Sequence, residues 1–153
     1  MVALRARVEA DLASLVSSQR DAQSSAVHAE ARAEDDKDTR AIESSYLARG
    51  LAERVALLSN EVAALRALHP RRFGDDDAIS VGALVEVRVR AGSMHYFIAP
   101  VAGGVRVRVG DATVTSVTPT APLGRALIGQ RADDEVEVET PDGRQSYEIV
   151  AVR

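Results

Sequence analysis

The chain has 153 residues, a net charge of −4, 46% hydrophobic and 27% charged residues, and no cysteine. These proportions fit a folded protein of one or two small domains and exclude a disordered chain, a disulfide scaffold and a thiolate metal site. No apolar run approaches the ~20 residues of a membrane span, and the charged start Met1-Val-Ala-Leu-Arg-Ala-Arg has no signal-peptide core, so a cytoplasmic protein with no membrane partner is expected.

Counterion release rewards a basic surface, so the negative balance argues against bare nucleic acid as the main ligand. Basic side chains comprise eighteen Arg and a single Lys amid abundant Ala, a bias that reads as genome composition. The three histidines, His28, His69 and His95, are too scattered for a metal-ligand cluster.

Glycine and proline divide the chain. Residues 1–69 contain no proline and one glycine, Gly50, whereas residues 70–153 hold all five prolines and the other nine glycines. The first part can therefore be continuous helix, and the second must be rich in turns. The expected organisation is a coiled-coil hairpin over 1–69, a linker over 70–78 and a sheet domain over 79–153.

In the first part Val8, Leu12, Leu15, Ala22, Ala26, Ala29 and Ala33 form one heptad stripe. Ala41, Ala48, Leu51, Val55, Leu58, Val62 and Leu65 form another. Alternating steps of three and four keep each set on a single seam, which predicts helices over about 3–34 and 39–68. Both stripes use Leu and Val far from the intervening acidic stretch and Ala near it. That matched taper fits an antiparallel hairpin turning at Glu34-Asp35-Asp36-Lys37-Asp38-Thr39-Arg40, the tip at 34–40. Pairing between chains, in a structural interaction protein, is the alternative of a different class; a concentration-independent mass near that of one chain would exclude it.

The acidic tip has two readings. Carboxylates suit the start of the second helix, where Asp36 or Asp38 can cap free N–H groups and the dipole favours negative charge. Alternatively, Asp35 and Asp38, three apart, handle a metal. Magnesium takes one or two protein carboxylates and fills its remaining positions with water and phosphate oxygens, so such a tip would complete a site that a partner half-builds.

The second part has period-two grammar over 83–90, 94–99, 105–109, 113–117, 135–139 and 145–152, which predicts strands. Pro141-Asp142-Gly143 predicts a tight turn between the last two. Between them Thr120 is expected to cap a short helix with Pro122 in its first turn, Leu123, Leu127 and Ile128 facing inward, and Gly129 ending it. The fold class is α+β: an antiparallel coiled-coil hairpin followed by an antiparallel sheet with a short helix. Arg88, Arg90, Arg106 and Arg108 are expected on the solvated face of the sheet, paired with Glu86, Glu137 and Glu139. No Ser/His/Asp set, glycine-rich phosphate loop or zinc signature is present, so an autonomous enzyme is not expected.

Residues 121–129, Ala-Pro-Leu-Gly-Arg-Ala-Leu-Ile-Gly, the hairpin Glu135-Val-Glu-Val-Glu-Thr-Pro-Asp-Gly and the strand Tyr147-Glu-Ile-Val resemble the C-terminal domain of the bacterial GreA/GreB transcription elongation factors. The resemblance covers about residues 79–152 and implies an FKBP-like fold without isomerase activity. The family also places a long antiparallel coiled coil before this domain. At its tip lies an Asp-Leu-Lys-Glu-Asn sequence, with which Asp35-Asp36-Lys37-Asp38-Thr39 aligns.

The resemblance implies that Asp35 and Asp38 act at the catalytic centre of RNA polymerase, reached through its secondary channel, with Asp36 and Lys37 supporting them. There they would help hold a Mg²⁺ shared with the polymerase, which then cleaves backtracked RNA at its 3′ end: two-metal chemistry with carboxylates delivered in trans. The factor would have no cofactor of its own, would work as a monomer, and would grip the polymerase rim through the loop containing Pro122. The resemblance carries DNA-binding with it as a family property. Departures are Asp36 for an apolar residue, Asp38 for Glu, Thr39 for Asn, and Ala41-Ile42 for Glu-Tyr, with Ala121 for the usual Ser. The extra acid leaves open an inhibitor that blocks the channel without promoting cleavage.

Overall fold

Two helices of equal length open the chain, α1 (Val2–Glu30) and α2 (Thr39–Ala67), each of 29 residues. The computed structural model describes residues 1–30, 39–69, 71–74, 76–141 and 143–153. Every seam position whose side chain is described is withdrawn from solvent: Val8 and Ala26 on α1 and Val62 and Leu65 on α2 are buried. Leu12, Leu15, Ala22, Ala48, Leu51, Val55 and Leu58 are half-buried. Leu4 and Gln19 extend the same seam, and Ser14, Ser18, Arg20, Arg54 and Asn60 lie exposed off it. The heptad step accounts for this partition, since it returns the apolar residues to one stripe of the helix.

Residues Arg7–Ala63 form one compact unit, and Met1–Ala6 with Ala64–Arg153 form another. The first turn of α1 thus shares a unit with the last turn of α2, as an antiparallel hairpin requires.

Strands follow: β1 (Leu84–Val89), β2 (Gly92–Ile98), β3 (Arg106–Val109), β4 (Ala112–Val117), β5 (Glu135–Thr140) and β6 (Gly143–Val152), with α3 (Pro122–Leu127) between β4 and β5. They make one sheet in the order β3-β4-β2-β1-β6-β5. Alternation sends Val85, Val87, Val89, Val136, Val138, Tyr147 and Ile149 into a single core with Leu127 of α3 and Ile79. On the other face, Leu84, Phe97, Val107 and Val114 line a cavity of about 270 Å³ together with Leu4 and Leu68.

Four strand pairs are antiparallel, as expected, but β2 and β4 run parallel, which makes the sheet mixed. The cause is the β3–β4 hairpin, which lays β4 instead of β3 against β2, so β3 and its loops serve as the crossover. Strand order also changes the expected ion pairs. Arg88, Arg90, Arg106 and Arg108 are exposed as expected. The neighbour of β1 is β6, however, so Arg88 pairs with Glu148 at 2.8 Å, its register partner. Glu137 and Glu139 pair with Arg144 at 3.3 and 3.7 Å, and Glu86 faces His95 at 3.9 Å.

Candidate functional site

The loop that enters α3 is built around the Thr118 carbonyl. The Ala121 N–H donates to it at 3.0 Å, and the Thr118 and Thr120 hydroxyls pair at 3.2 Å. Ala121, not Thr120, is the N-cap: its backbone is extended (φ −68°, ψ 151°) and its side chain caps nothing. Pro122 replaces the cap in function. Its fixed φ suits the first helical position, and it has no N–H left to satisfy.

Arg125 then reaches back along the helix and donates from Nη1 to the Thr120 carbonyl oxygen, clasping the loop. Gly124 permits the close approach, since a Cβ there would run into the Thr118 carbonyl. Leu127 is buried, Leu123 and Ile128 pack partly buried against the core, and Gly129 ends the helix at φ 86°. The outcome is a fixed projection on which Thr120, Pro122 and Arg125 are exposed. Pro122 was legible in the sequence. Gly124 and Arg125 were visible only as motif letters and Thr118 not at all, because nothing in their spacing announces one carbonyl packed on a glycine and the next but one held by a guanidinium.

The other predicted site residues, Asp35, Asp36, Lys37 and Asp38, lie outside the described residues, as do Glu34, Ala33, Pro70, Asp75 and Asp142. Asp38 directly precedes Thr39, the first residue of α2. Among the described residues no group of three His, Asp or Glu side chains could hold a metal ion.

A second, more polar hollow of about 550 Å³ lies along β2, β4 and β3, lined by His95, Tyr96, Arg106, Asp111, Thr113 and Thr115 among others. Burial pushes the Tyr96 phenol above its ordinary value of 10.0, the neighbouring Tyr147 adds to the rise, and Arg106 pulls it back. Burial alone raises Tyr147, whose ring meets Tyr96 edge to face at 6.5 Å.

A profile described as "Transcription elongation factor, GreA/GreB, C-term" matches residues 107–153. The transcription elongation factor GreA of Acidiphilium cryptum is 33% identical over 150 residues, spanning 95% of this chain and 90% of its own. The chain belongs to the GreA/GreB family. Shorter matches are stronger in identity: GreA of Syntrophotalea carbinolica is 50% identical over 36 residues, and GreA of a Methylobacterium species 57% over 37. Each of these spans 24% of this chain and only 23% of the relative. The crystal structure of GreA factor homolog 1 of Thermus thermophilus overlays 99% of this chain and 95% of its own at 18% identity and a TM-score of 0.41, a likeness too loose to bear on function.

Family membership and the α3 loop agree on one region. The profile spans β3 to the end of β6, so the clasped loop with Pro122, α3 and the β5–β6 hairpin all fall inside the segment that carries the GreA/GreB signature. No helix among the described residues is long and apolar enough to cross a membrane.

Proposed function

We propose that this GreA/GreB-family chain binds RNA polymerase, inserts its acidic segment through the secondary channel and stimulates cleavage of backtracked transcripts. The observation that carries the reading is the pair of equal 29-residue helices bracketing residues 31–38, the stretch that contains Asp35 and Asp38. At ~1.5 Å per residue each helix extends about 43 Å, a reach suited to delivering side chains deep into a partner. Asp35 and Asp38 would supply carboxylate oxygens to a Mg²⁺ shared with the polymerase, while Asp36 and Lys37 set the charge around them. Neither acid needs to bind the ion alone, because magnesium completes its shell with water and phosphate oxygens. The bond-breaking belongs to the polymerase, so this chain is not itself an enzyme.

The exposed projection of Thr120, Pro122 and Arg125 is the proposed grip on the polymerase rim. Its backbone is fixed before any partner arrives, which lowers the ordering cost of docking. A second reading, a channel-blocking inhibitor, is favoured by Asp36, an added acid where the family has an apolar residue. The two separate in one assay. A stalled, backtracked complex with labelled RNA is incubated with the full chain, and with Asp35→Ala and Asp38→Ala. Shortening from the 3′ end that both substitutions abolish supports cleavage. Slowed nucleotide addition without shortening supports the inhibitor, and no effect of wild type on either step refutes both.

A further inference from the structure

The sheet ends in two edges, β3 and β5, and their charges are handled differently. On β5 the exposed Glu135, Glu137 and Glu139 are answered within the sheet. Arg144 serves the last two, and the Ser146 hydroxyl bonds Glu135. On β3 the exposed Arg106 and Arg108 lie across from Thr115 and Thr113 of β4. Among the described residues neither arginine has a carboxylate partner.

The ladder tells which way the β3 backbone faces. The Ser116 N–H donates to the Val105 carbonyl at 2.9 Å, and Val109 pairs with Ala112 across the two-residue loop Gly110-Asp111. Inward-bonding residues alternate along an antiparallel strand, so Val105, Val107 and Val109 bond to β4. The N–H and C=O groups of Arg106 and Arg108 therefore point to the free edge. Backbone donors and two uncompensated cations share the same two residues.

An antiparallel strand added there would set one residue opposite each arginine, on the same face, where opposite charge is favoured and like charge is not. Between them, on the reverse face, it would meet half-buried Val107 and, beside it, Val109, which is 51% exposed. The complementary sequence is acidic–apolar–acidic in extended form. We propose that β3 is a docking edge that accepts such a segment of a partner protein as a seventh strand, with affinity from main-chain bonds and selectivity from Arg106 and Arg108. The inference stands on β3 itself and does not depend on the polymerase reading.

The probe is the capped peptide Glu-Val-Glu-Val-Glu-Thr, which repeats the sequence of β5, titrated into the isotopically labelled full chain. The expected result is that the Arg106 and Arg108 amides shift and become protected from exchange, while the inward-facing Val107 amide keeps its existing protection. The isomer Glu-Glu-Val-Val-Glu-Thr, in which no two acids stand two apart, should bind about tenfold more weakly, as should the original peptide to R106E/R108E, since the first sets an apolar residue against one arginine position and the second sets like charge against both. Both side chains are exposed, so the variant should keep the wild-type circular dichroism; if it does not, the isomer comparison still decides. Equal binding of the two peptides would overturn the proposal. So would peptide binding that leaves both amides unmoved, a single-stranded oligonucleotide that moves them where the peptide does not, or a solution dimer joined through β3.

Discussion

Gly124→Ala and Gly50→Ala are the same chemical change at two helical positions, and the structure gives them opposite signs. A Cβ on Gly124 would sit 2.8 Å from the Thr118 carbonyl carbon and 3.2 Å from Val117 Cγ1, with the carbonyl oxygen nearer still. That carbonyl cannot swing aside without losing the Ala121 N–H bond at 3.0 Å. Helix α3 must therefore lift, and Leu127 at 0% exposure lifts with it. Overpacking costs ~1–3 kcal/mol, and an obstacle made of backbone belongs at the upper end. Alanine returns up to ~1 kcal/mol of helix propensity, which leaves a net loss of ~2 kcal/mol. A loss of that size lowers the melting temperature of a small domain by about 10 °C. At Gly50, in α2 and exposed, a new Cβ meets nothing within 4 Å, so only the propensity gain of ~0.5–1 kcal/mol remains. Urea unfolding of the full chain checks both, with near-ultraviolet tyrosine dichroism for the sheet unit that holds Tyr96 and Tyr147 and far-ultraviolet dichroism for the helices. A Gly124→Ala protein as stable as wild type would refute the steric argument, and a destabilised Gly50→Ala would refute the assignment of open space around α2.

Two shorter predictions concern the sheet. The folded state raises the pKa of Tyr96 and Tyr147 above the unfolded value of about 10, so the unfolded chain releases these protons first and stability falls as pH rises through and above that value. Melting temperatures across the alkaline range should show the decline, and Tyr96→Phe should lessen it; an unchanged slope would show that the phenol is not the cause. Ser116, 2% exposed, donates from Oγ to the Ala102 carbonyl and accepts from the Val105 N–H at 3.0 Å. Ser116→Ala should cost ~1–3 kcal/mol by leaving those buried groups unpaired, measured by the same urea titration, and a neutral result would mean that water enters to replace the hydroxyl.

Much of this fold could be read from spacing alone. The heptad stripes located both helices because a helical seam is written in sequence as steps of three and four. The strands emerged to within a few residues because alternation is a direct record of which side chains turn inward. Alternation carries no information about neighbours, however. Nothing in Val-Glu-Val-Arg-Val says that β6 lies beside β1, so the Arg88–Glu148 pair was out of reach, and so was the parallel contact of β2 with β4. Local chemistry also misled at Thr120. A threonine two residues ahead of a proline reads as a cap, but here its hydroxyl turns to Thr118 and its carbonyl accepts from Arg125. Of the candidate site, the exposed Pro122 was legible and lies where expected at the start of α3. The acids Asp35 and Asp38 rest on their spacing of three and on the alignment with the family tip, and lie outside the described residues.

The taper of the helical hairpin has a consequence for how it moves. Along α1 the seam passes from Val8, Leu12 and Leu15 to Ala22 and Ala26, and along α2 Ala48 gives way to Leu51, Val55, Leu58 and Val62. An alanine buries about three fewer methyl or methylene groups than a leucine, so each such exchange forgoes roughly 2 kcal/mol of burial at ~0.8 kcal/mol per group. Helical hydrogen bonds are the same at both ends, and local opening is opposed chiefly by packing. Amide exchange should therefore slow progressively from Ala48 to Val62 on α2 and quicken from Val8 to Ala26 on α1. Ala22→Leu should slow exchange over the neighbouring turns where the partner helix can accommodate the larger side chain. Uniform protection along both helices would show that the alanine end is held by something other than its own seam. A graded profile would mean that packing along the seam, and not the helical hydrogen bonds common to every turn, sets the order in which the described turns open.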